Sequence, residues 1–280
     1  MKKPTTNVLA TCCVAAIIML LPAFCRAQDK SHPPGARTIL SRMLAVYNNA
    51  ASYQDTGELR VLDDDPSLLD VPHSPETEAK NRLSVSFSTY FVRQPTMFRF
   101  DWQNSWGKNS RRSAVWFDSK HAYSWDSDSA LGGDRFLLNQ EDSLSLLINQ
   151  KTASSASTML TVPGLLMTDL VPHTFADVVQ DLTDVRIVRE EPVEDAMCFL
   201  IRGRAGRTPW LLWIDKKAYY LRKMRSVFSV GSFHEAQKSE YVAEEIRRHI
   251  EINKPITEKI FHYRPEFRRG DLDASDDRRP

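Results

Sequence analysis

The chain has 280 residues, of which 42% are hydrophobic and 26% charged, so it is long enough for one large domain and too apolar to be disordered over most of its length. Its 37 lysines and arginines against 36 aspartates and glutamates leave a net charge of +1. That balance supplies no basic field for phosphate backbones, and no Lys/Arg stripe is interleaved with aromatics, which excludes nucleic acid as the expected partner.

Lys2 and Lys3 precede an apolar run from Val8 to Phe24, and Cys25-Arg26-Ala27 offers small residues at both recognition positions of a signal-peptidase site. The expectation is a signal peptide over residues 1–27, cleaved after Ala27, and a protein exported to the periplasm. A retained membrane anchor is the alternative, although a run of about 17 residues is short for a span. Cys25 follows Phe24 rather than a small residue, which argues against lipid attachment. After cleavage only Cys198 remains, so no internal disulfide can form.

Residues 28–35 are polar and proline-rich and read as a linker into a single domain over 36–267. Ala36 to Ala51 reads as an amphipathic helix, because Leu40, Met43, Leu44 and Tyr47 fall at i, i+3, i+4 and i+7. From Tyr53 the period changes to two, giving a strand to Leu62 and then a long exposed connection from Asp63 to Lys80. Leu83 to Val92 alternates Leu83, Val85, Phe87, Thr89 and Phe91 with serines and Tyr90. Thr96 to Trp102 sets Phe98, Phe100 and Trp102 against Met97, Arg99 and Asp101, and Ala114–Asp118 with His121–Trp125 reads as a hairpin.

The middle changes character. Asp142–Asn149 and Ser157–Leu170 are apolar with helical or irregular spacing, and Pro163-Gly164 is expected to break the second. They read equally as a cover over a pocket or as connecting helices. Val185–Glu191, Ala196–Arg202, Pro209–Asp215 and Tyr219–Val230 return to strands. The third and fourth form a hairpin across a polar turn beginning at Asp215. Trp210, Leu212 and Ile214 alternate there with Leu211 and Trp213, so both faces carry large apolar groups. Such a strand is either wrapped around something or central in an ordinary sandwich. Ser239–Ile252 reads as a charged, exposed strand, with helix as the alternative, since Val242, Ile246 and Ile250 are helix-spaced. Ile256, Ile260, Phe261 and Tyr263 are expected to close the sheet, and residues 268–280 to form a disordered charged tail.

Several of these stretches carry a family resemblance. Val92-Arg93-Gln94-Pro95-Thr96-Met97-Phe98-Arg99-Phe100, the hairpin Ala114–Trp125, and Lys259-Ile260-Phe261-His262-Tyr263-Arg264-Pro265 resemble motifs of the LolA-like superfamily, typified by the periplasmic outer-membrane lipoprotein carrier. Trp213-Ile214-Asp215 followed by Leu221-Arg222-Lys223 is similar to the wider superfamily. The resemblance spans roughly Ile39 to Pro265 by order and spacing of elements. It implies a mainly β, α+β fold: an unclosed, curved antiparallel β half-barrel whose concave apolar face is covered by helices and holds acyl chains of a lipid or lipoprotein.

On that reading the cavity wall is Leu83, Val85, Phe87, Phe91, Phe98, Phe100, Trp102, Trp116 and Trp213, and the lid is Leu40, Met43, Leu44, Tyr47, Leu147, Met159, Leu165 and Leu166. The arginine that latches the carrier's lid stands immediately before the proline. Gln94 occupies that position here, which leaves Arg93, one residue earlier, as the candidate latch. Burying a 16-carbon chain at about 0.8 kcal/mol per methylene gives on the order of 10 kcal/mol before ordering costs.

No nucleophile elbow, zinc-spaced histidine pair, CxxC or phosphate-cradling glycine loop occurs. The expectation is therefore a non-enzyme without metal or cofactor. His121 and His173 read as surface polar groups, Cys198 as a small core residue, and Asp126, Asp128 and Asp134 as a solvated acidic turn rather than a calcium loop. The expected partners are acyl chains and a membrane-associated donor or receptor, with the protein a monomer. One competing expectation is a non-catalytic sensor or interaction protein, in which the concavity is filled and an exposed apolar patch meets a partner; the other is a cofactor-free enzyme on the same fold, which needs a polar cluster converging inside the cavity.

Overall fold

The structure, a computed structural model, describes residues 34–63, 84–106, 109–127, 143–152, 155, 158, 161–171, 174–231 and 238–262. The signal peptide, most of the linker, the Asp63–Lys80 connection, Leu83, Met159, His173, Asp128, Asp134, the end of the Lys259–Pro265 motif and the tail all lie outside them, apart from Asp63 itself. The first element is helix α1 (Ala36–Asn48), with strands β1 (Ser52–Asp63), β2 (Ser84–Val92), β3 (Met97–Trp106), β4 (Asn109–Phe117) and β5 (Ala122–Asp126) after it. Helices α2 (Leu144–Thr152), α3 (Val162–Leu166) and α4 (Phe175–Asp181) come next. Then come β6 (Thr183–Val193), β7 (Ala196–Ala205), β8 (Thr208–Asp215), β9 (Leu221–Gly231), β10 (Lys238–Ile252) and a 3-10 turn, Glu258–Phe261.

All ten strands form one antiparallel sheet in the order β5-β4-β3-β2-β1-β10-β9-β8-β7-β6. Two meanders, β1–β5 and β6–β10, are therefore joined at the centre by β1 pairing with β10, and the sheet does not close. The order has a topological consequence. The chain leaves the first meander at one edge, β5, and enters the second at the other, β6, with α2, α3 and α4 between them. Nine strand spacings of about 4.8 Å separate those edges along the sheet, roughly 43 Å. A connection of that reach runs over one face, so α2, α3 and α4, which cover the sheet together with α1, also lie on the passage between its edges.

Alternation decides which side chains meet that cover. On the inner face one cross-strand row runs Ile252, Tyr53, Phe91, Phe98, Phe117 and Ala122. Further rows place Asp55, Thr89, Phe100, Val115 and Ser124 together, then Arg247, Gly57, Phe87, Trp102 and Ser113. Against this wall α1 buries Ile39, Leu40, Met43 and Tyr47, with Leu44 partly buried beside them. From α2 come Leu144, Leu147 and Ile148, from α3 Leu165 and Leu166, and from α4 Phe175 and Val179. The turn after β8 is set by Asp215, whose Oδ1 accepts from the backbone N–H of Lys217 (2.7 Å) and Ala218 (2.9 Å).

Four expectations need correction. The helix in Ser157–Leu170 is short, as expected, but Pro163 and Gly164 do not mark a break: they sit inside α3, Pro163 near its start, where a missing N–H costs nothing. Ser239–Ile252 is a strand, but a central one, with Glu244, Glu245 and Arg247 buried, since it is paired on both sides. Ile260 and Phe261 form the 3-10 turn rather than a closing strand, held to β3 by Arg99 Nη1 donating to the carbonyl of Ile260 at 3.0 Å. Asp126 is not solvated: it is 5% exposed and paired with Lys151 at 2.5 Å and Arg111 at 3.4 Å. Burial pushes its carboxyl up, yet Lys151 and Ser113 hold it below the usual carboxylate range. No helix among the described residues is long and apolar enough to cross a membrane.

Candidate functional site: the covered inner face

The inner wall is built by two aromatic strands in register. Phe91 faces Phe98 and Phe87 faces Trp102 across β2 and β3. Ring centroids lie 5.6 Å apart for Phe87–Phe100 and 5.8 Å for Phe100–Trp102, which makes a continuous aromatic surface. Val85, Phe87, Phe91, Phe98, Phe100 and Trp102 all lie on this face and are buried beneath the helices. Val85, Phe98 and Phe100 are wholly inaccessible, so no water-sized space touches them.

Trp116 and Trp213 do not join them. Trp116 is paired with Arg99, whose neighbours in sequence, Phe98 and Phe100, face inward, so Trp116 lies on the outer face with Ala114, Tyr123 and Trp125. Trp213 lies opposite Leu200 and packs on the outer face with Cys198, Leu211 and Val242. There Lys223 Nζ stands 4.9 Å from its ring centroid and its indole N–H donates to Glu191. Trp210, Leu212 and Ile214 are the inward residues of that strand, with Trp210 5.3 Å from Phe175 of α4. Cys198 is a buried core residue whose thiol burial pushes up to about 12.

Polar ties hold the cover at its rim. Arg93, in the turn between β2 and β3, donates to the carbonyls of Ala50 (2.8 Å), Tyr47 (3.0 Å) and Leu166 (3.2 Å). These are the carboxyl ends of α1 and α3, where free carbonyls and the helix dipole favour a cation. Its guanidinium also lies 5.1 Å from the centroid of Phe91. At the other end of α1, Arg37 donates to the carbonyls of Gln180 (3.2 Å) and Leu182. Between them the Tyr47 hydroxyl accepts the backbone N–H of Leu221 at 3.0 Å. Burial raises that phenol further above its ordinary range.

Beside the aromatic wall lies a charged cluster that periodicity does not announce. Arg247 Nη1 donates to Asp55 Oδ2 and Nη2 to Glu245 Oε1, each at 2.5 Å, and these side chains are 1% exposed or less. Thr161, just before α3, accepts from Arg247 Nη2 (2.6 Å) and donates to Glu245 Oε1 (2.9 Å), and Tyr53 Oη donates to Asp55 Oδ2 at 2.5 Å. The Arg247 guanidinium also lies 4.8 Å from the centroid of Phe87. Gly57 makes this contact possible. It sits between the two in the cross-strand row, and a Cβ there would meet Phe87 Cζ at 2.2 Å. A glycine inside an alternating strand is the signal that could have marked this close approach.

Burial pushes the Glu245 carboxyl above its usual range even though Arg247 pulls it down. Burial also opposes the Arg247 charge, but Glu245 and Asp55 together hold the guanidinium more firmly protonated than usual. Among the described residues no three His, Cys, Asp or Glu side chains gather in a way that could hold a metal ion.

No protein-family model matches the chain, and no curated protein matches it in sequence. Among solved structures, it is similar to the lipoprotein LppX of Mycobacterium tuberculosis, with a TM-score of 0.40 and 10% identity over 79% of this chain and 97% of that one. It is similar also to LprF of Mycobacterium bovis, with a TM-score of 0.43 and 12% identity over 79% and 94%. A LolA superfamily protein of Nitrosomonas europaea gives a TM-score of 0.28 and 12% identity over 82% and 98%. Likeness of this degree carries nothing about ligand or role.

Proposed function

We propose that the protein binds hydrophobic ligands, the acyl chains of a lipid or lipoprotein, along the inner face of its sheet, and that it works as a carrier in the periplasm. The observation that carries this reading is the pairing of a continuous aromatic wall with a cover that is anchored at its rim by Arg93. Arg93's three hydrogen bonds, with those of Tyr47 to Leu221 and of Thr161 to Arg247 and Glu245, are among the polar ties that opening would break, whereas the surface beneath is apolar enough to reward any chain that replaces the helices. In this reading the described arrangement is the closed, empty form, and Val85, Phe87, Phe91, Phe98, Phe100 and Trp102 become the chain-binding surface when it opens.

A second reading draws on the filled interior. If the helices never leave, the same fold is a non-catalytic sensor or interaction protein. Native mass spectrometry with lipid extraction, on protein purified from the periplasm of its own host, separates the two. Bound acyl mass that is lost on delipidation and regained with a fluorescent fatty acid is the expected result. A bare protein mass with no uptake afterwards overturns the carrier reading in favour of the second.

A further inference from the structure

Among the polar atoms of the inner wall that make no hydrogen bond are Asp55 Oδ1, Glu245 Oε2 and Thr89 Oγ1. Their residues are 3%, 1% and 0% exposed, so water does not complete them from outside. Thr89 is the cross-strand neighbour of Asp55, and Arg247 joins Asp55 to Glu245, so the three belong to one neighbourhood. Buried polar atoms are ordinarily satisfied, and a purely apolar wall needs none of them.

The cover already brings a polar group to this place. The Thr161 hydroxyl both accepts from Arg247 and donates to Glu245. When the segment carrying Thr161 lifts, those two bonds are left open beside Asp55 Oδ1 and Glu245 Oε2. A hydroxyl is the group that replaces both bonds at once, and a second hydroxyl would supply a donor to the remaining carboxylate oxygens. Two carboxylates share one guanidinium here, so an anionic headgroup would add charge of the sign already in excess. The aromatic surface starts at the same point: Arg247 lies over Phe87, Phe87 stacks on Phe100, and Phe100 meets Trp102 at a tilt.

Resting on the acyl-chain reading of this face, we infer that Asp55, Glu245 and Arg247 form a polar subsite for the uncharged, hydroxyl-bearing headgroup of an amphiphile. Its chain lies along Phe87, Phe100 and Trp102, and Thr161 is the headgroup's stand-in while the cover is closed. The site thereby sorts ligands by headgroup, taking neutral polyol lipids over free fatty acids.

The test compares 1-monopalmitoylglycerol, methyl palmitate and palmitate, which share a chain and differ in headgroup, by titration against delipidated protein. The wild type is expected to prefer monopalmitoylglycerol to methyl palmitate by about tenfold, the value of one well-made buried hydrogen bond. The triple variant Asp55→Leu/Glu245→Met/Arg247→Met replaces the cluster with apolar groups and is expected to bind the two equally. If that variant does not fold, Glu245→Gln serves, and palmitate should gain on monopalmitoylglycerol because one carboxylate is gone. Thr161→Val is expected to tighten monopalmitoylglycerol binding. Failure of all three probes to bind overturns the acyl-chain reading and the subsite with it. Equal binding of all three by the wild type, or a preference that survives the triple variant or Glu245→Gln unchanged, overturns the subsite alone.

Discussion

Glu244 and Glu245 are adjacent in the chain and lie on opposite faces of β10, both nearly buried at 6% and 1% exposed. Their electrostatics run opposite ways. On the outer face Glu244 is met by Lys223 Nζ at 2.7 Å and by Arg225 Nε, and although burial pushes its carboxyl up, these two cations hold it below the usual range. On the inner face Glu245 shares the one guanidinium of Arg247 with Asp55, and burial wins. Similar burial therefore gives opposite results, and the ratio of cations to carboxylates decides between them. The outer side is built for stability in water; the inner side holds an unbalanced charge that only a proton or a partner group can relieve.

The largest way to break this comparison is to remove the shared cation. Arg247→Ala leaves two buried carboxylates unpaired and is expected to cost about 3–5 kcal/mol in urea unfolding. Lys223→Ala, which leaves Glu244 with Arg225, is expected to cost only about 1 kcal/mol; equal losses would mean the two faces do not differ. Next comes Arg93→Ala. It gives up the hydrogen bonds to Ala50, Tyr47 and Leu166, costs roughly 2–3 kcal/mol, and should speed hydrogen exchange in α1 more than in β8. Gly57→Ala places a Cβ 2.2 Å from Phe87 Cζ and 2.7 Å from the carbonyl of Ile246, so side chain or backbone must shift. A loss of about 1–3 kcal/mol is expected, with the Phe87–Arg247 stacking disturbed.

The smallest effect is in pH. Glu245, raised in the folded state, contributes stability that is full below the ordinary value of 4.5 and is lost as pH rises through the raised value. Glu244, lowered in the folded state, contributes stability that is present above 4.5 and is lost as pH falls through the lowered value. Glu245→Gln should therefore flatten the stability profile on its upper side, whereas Glu244→Gln flattens the acid side. Identical profiles for the two variants would contradict the assignment.

What the sequence made legible follows from clean periodicity. Leu40, Met43 and Tyr47 at helical spacing marked the buried stripe of α1, and the Phe/Ser alternation of β2 marked both its faces. Parity also misled. Trp116 and Trp213 are large and aromatic, but each lies one residue out of phase with the inner rows, a fact that only strand register reveals. Helix α4 was not read at all, although Thr174 and Asp177 form a capping box that marks its start.

β10 was the hardest strand to read because its alternation is interrupted. Thr56 pairs with Arg248 and Gln54 with Glu251, so His249 and Ile250 together oppose Asp55. This bulge, with His249 at φ 51°, inverts the parity: Ala243, Glu245 and Arg247 face inward before it, Ile250 and Ile252 after it. A strand that changes sides midway shows neither a clean period of two nor of 3.6, and its charges look solvated. The charged cluster was hidden for that reason.

The order of strands also limits how any opening can happen. Because the part of the cover that carries α2, α3 and α4 is the chain's own passage from β5 to β6, this part is tethered at both edges like a strap across the mouth of a bag, whereas α1 joins the sheet at β1 alone. The strap cannot swing away on a single hinge. On the proposed carrier reading, a long-chain guest would enter beside this strap rather than past a free end, so the strap's slack, rather than the width of the sheet, would limit the bulk that could enter.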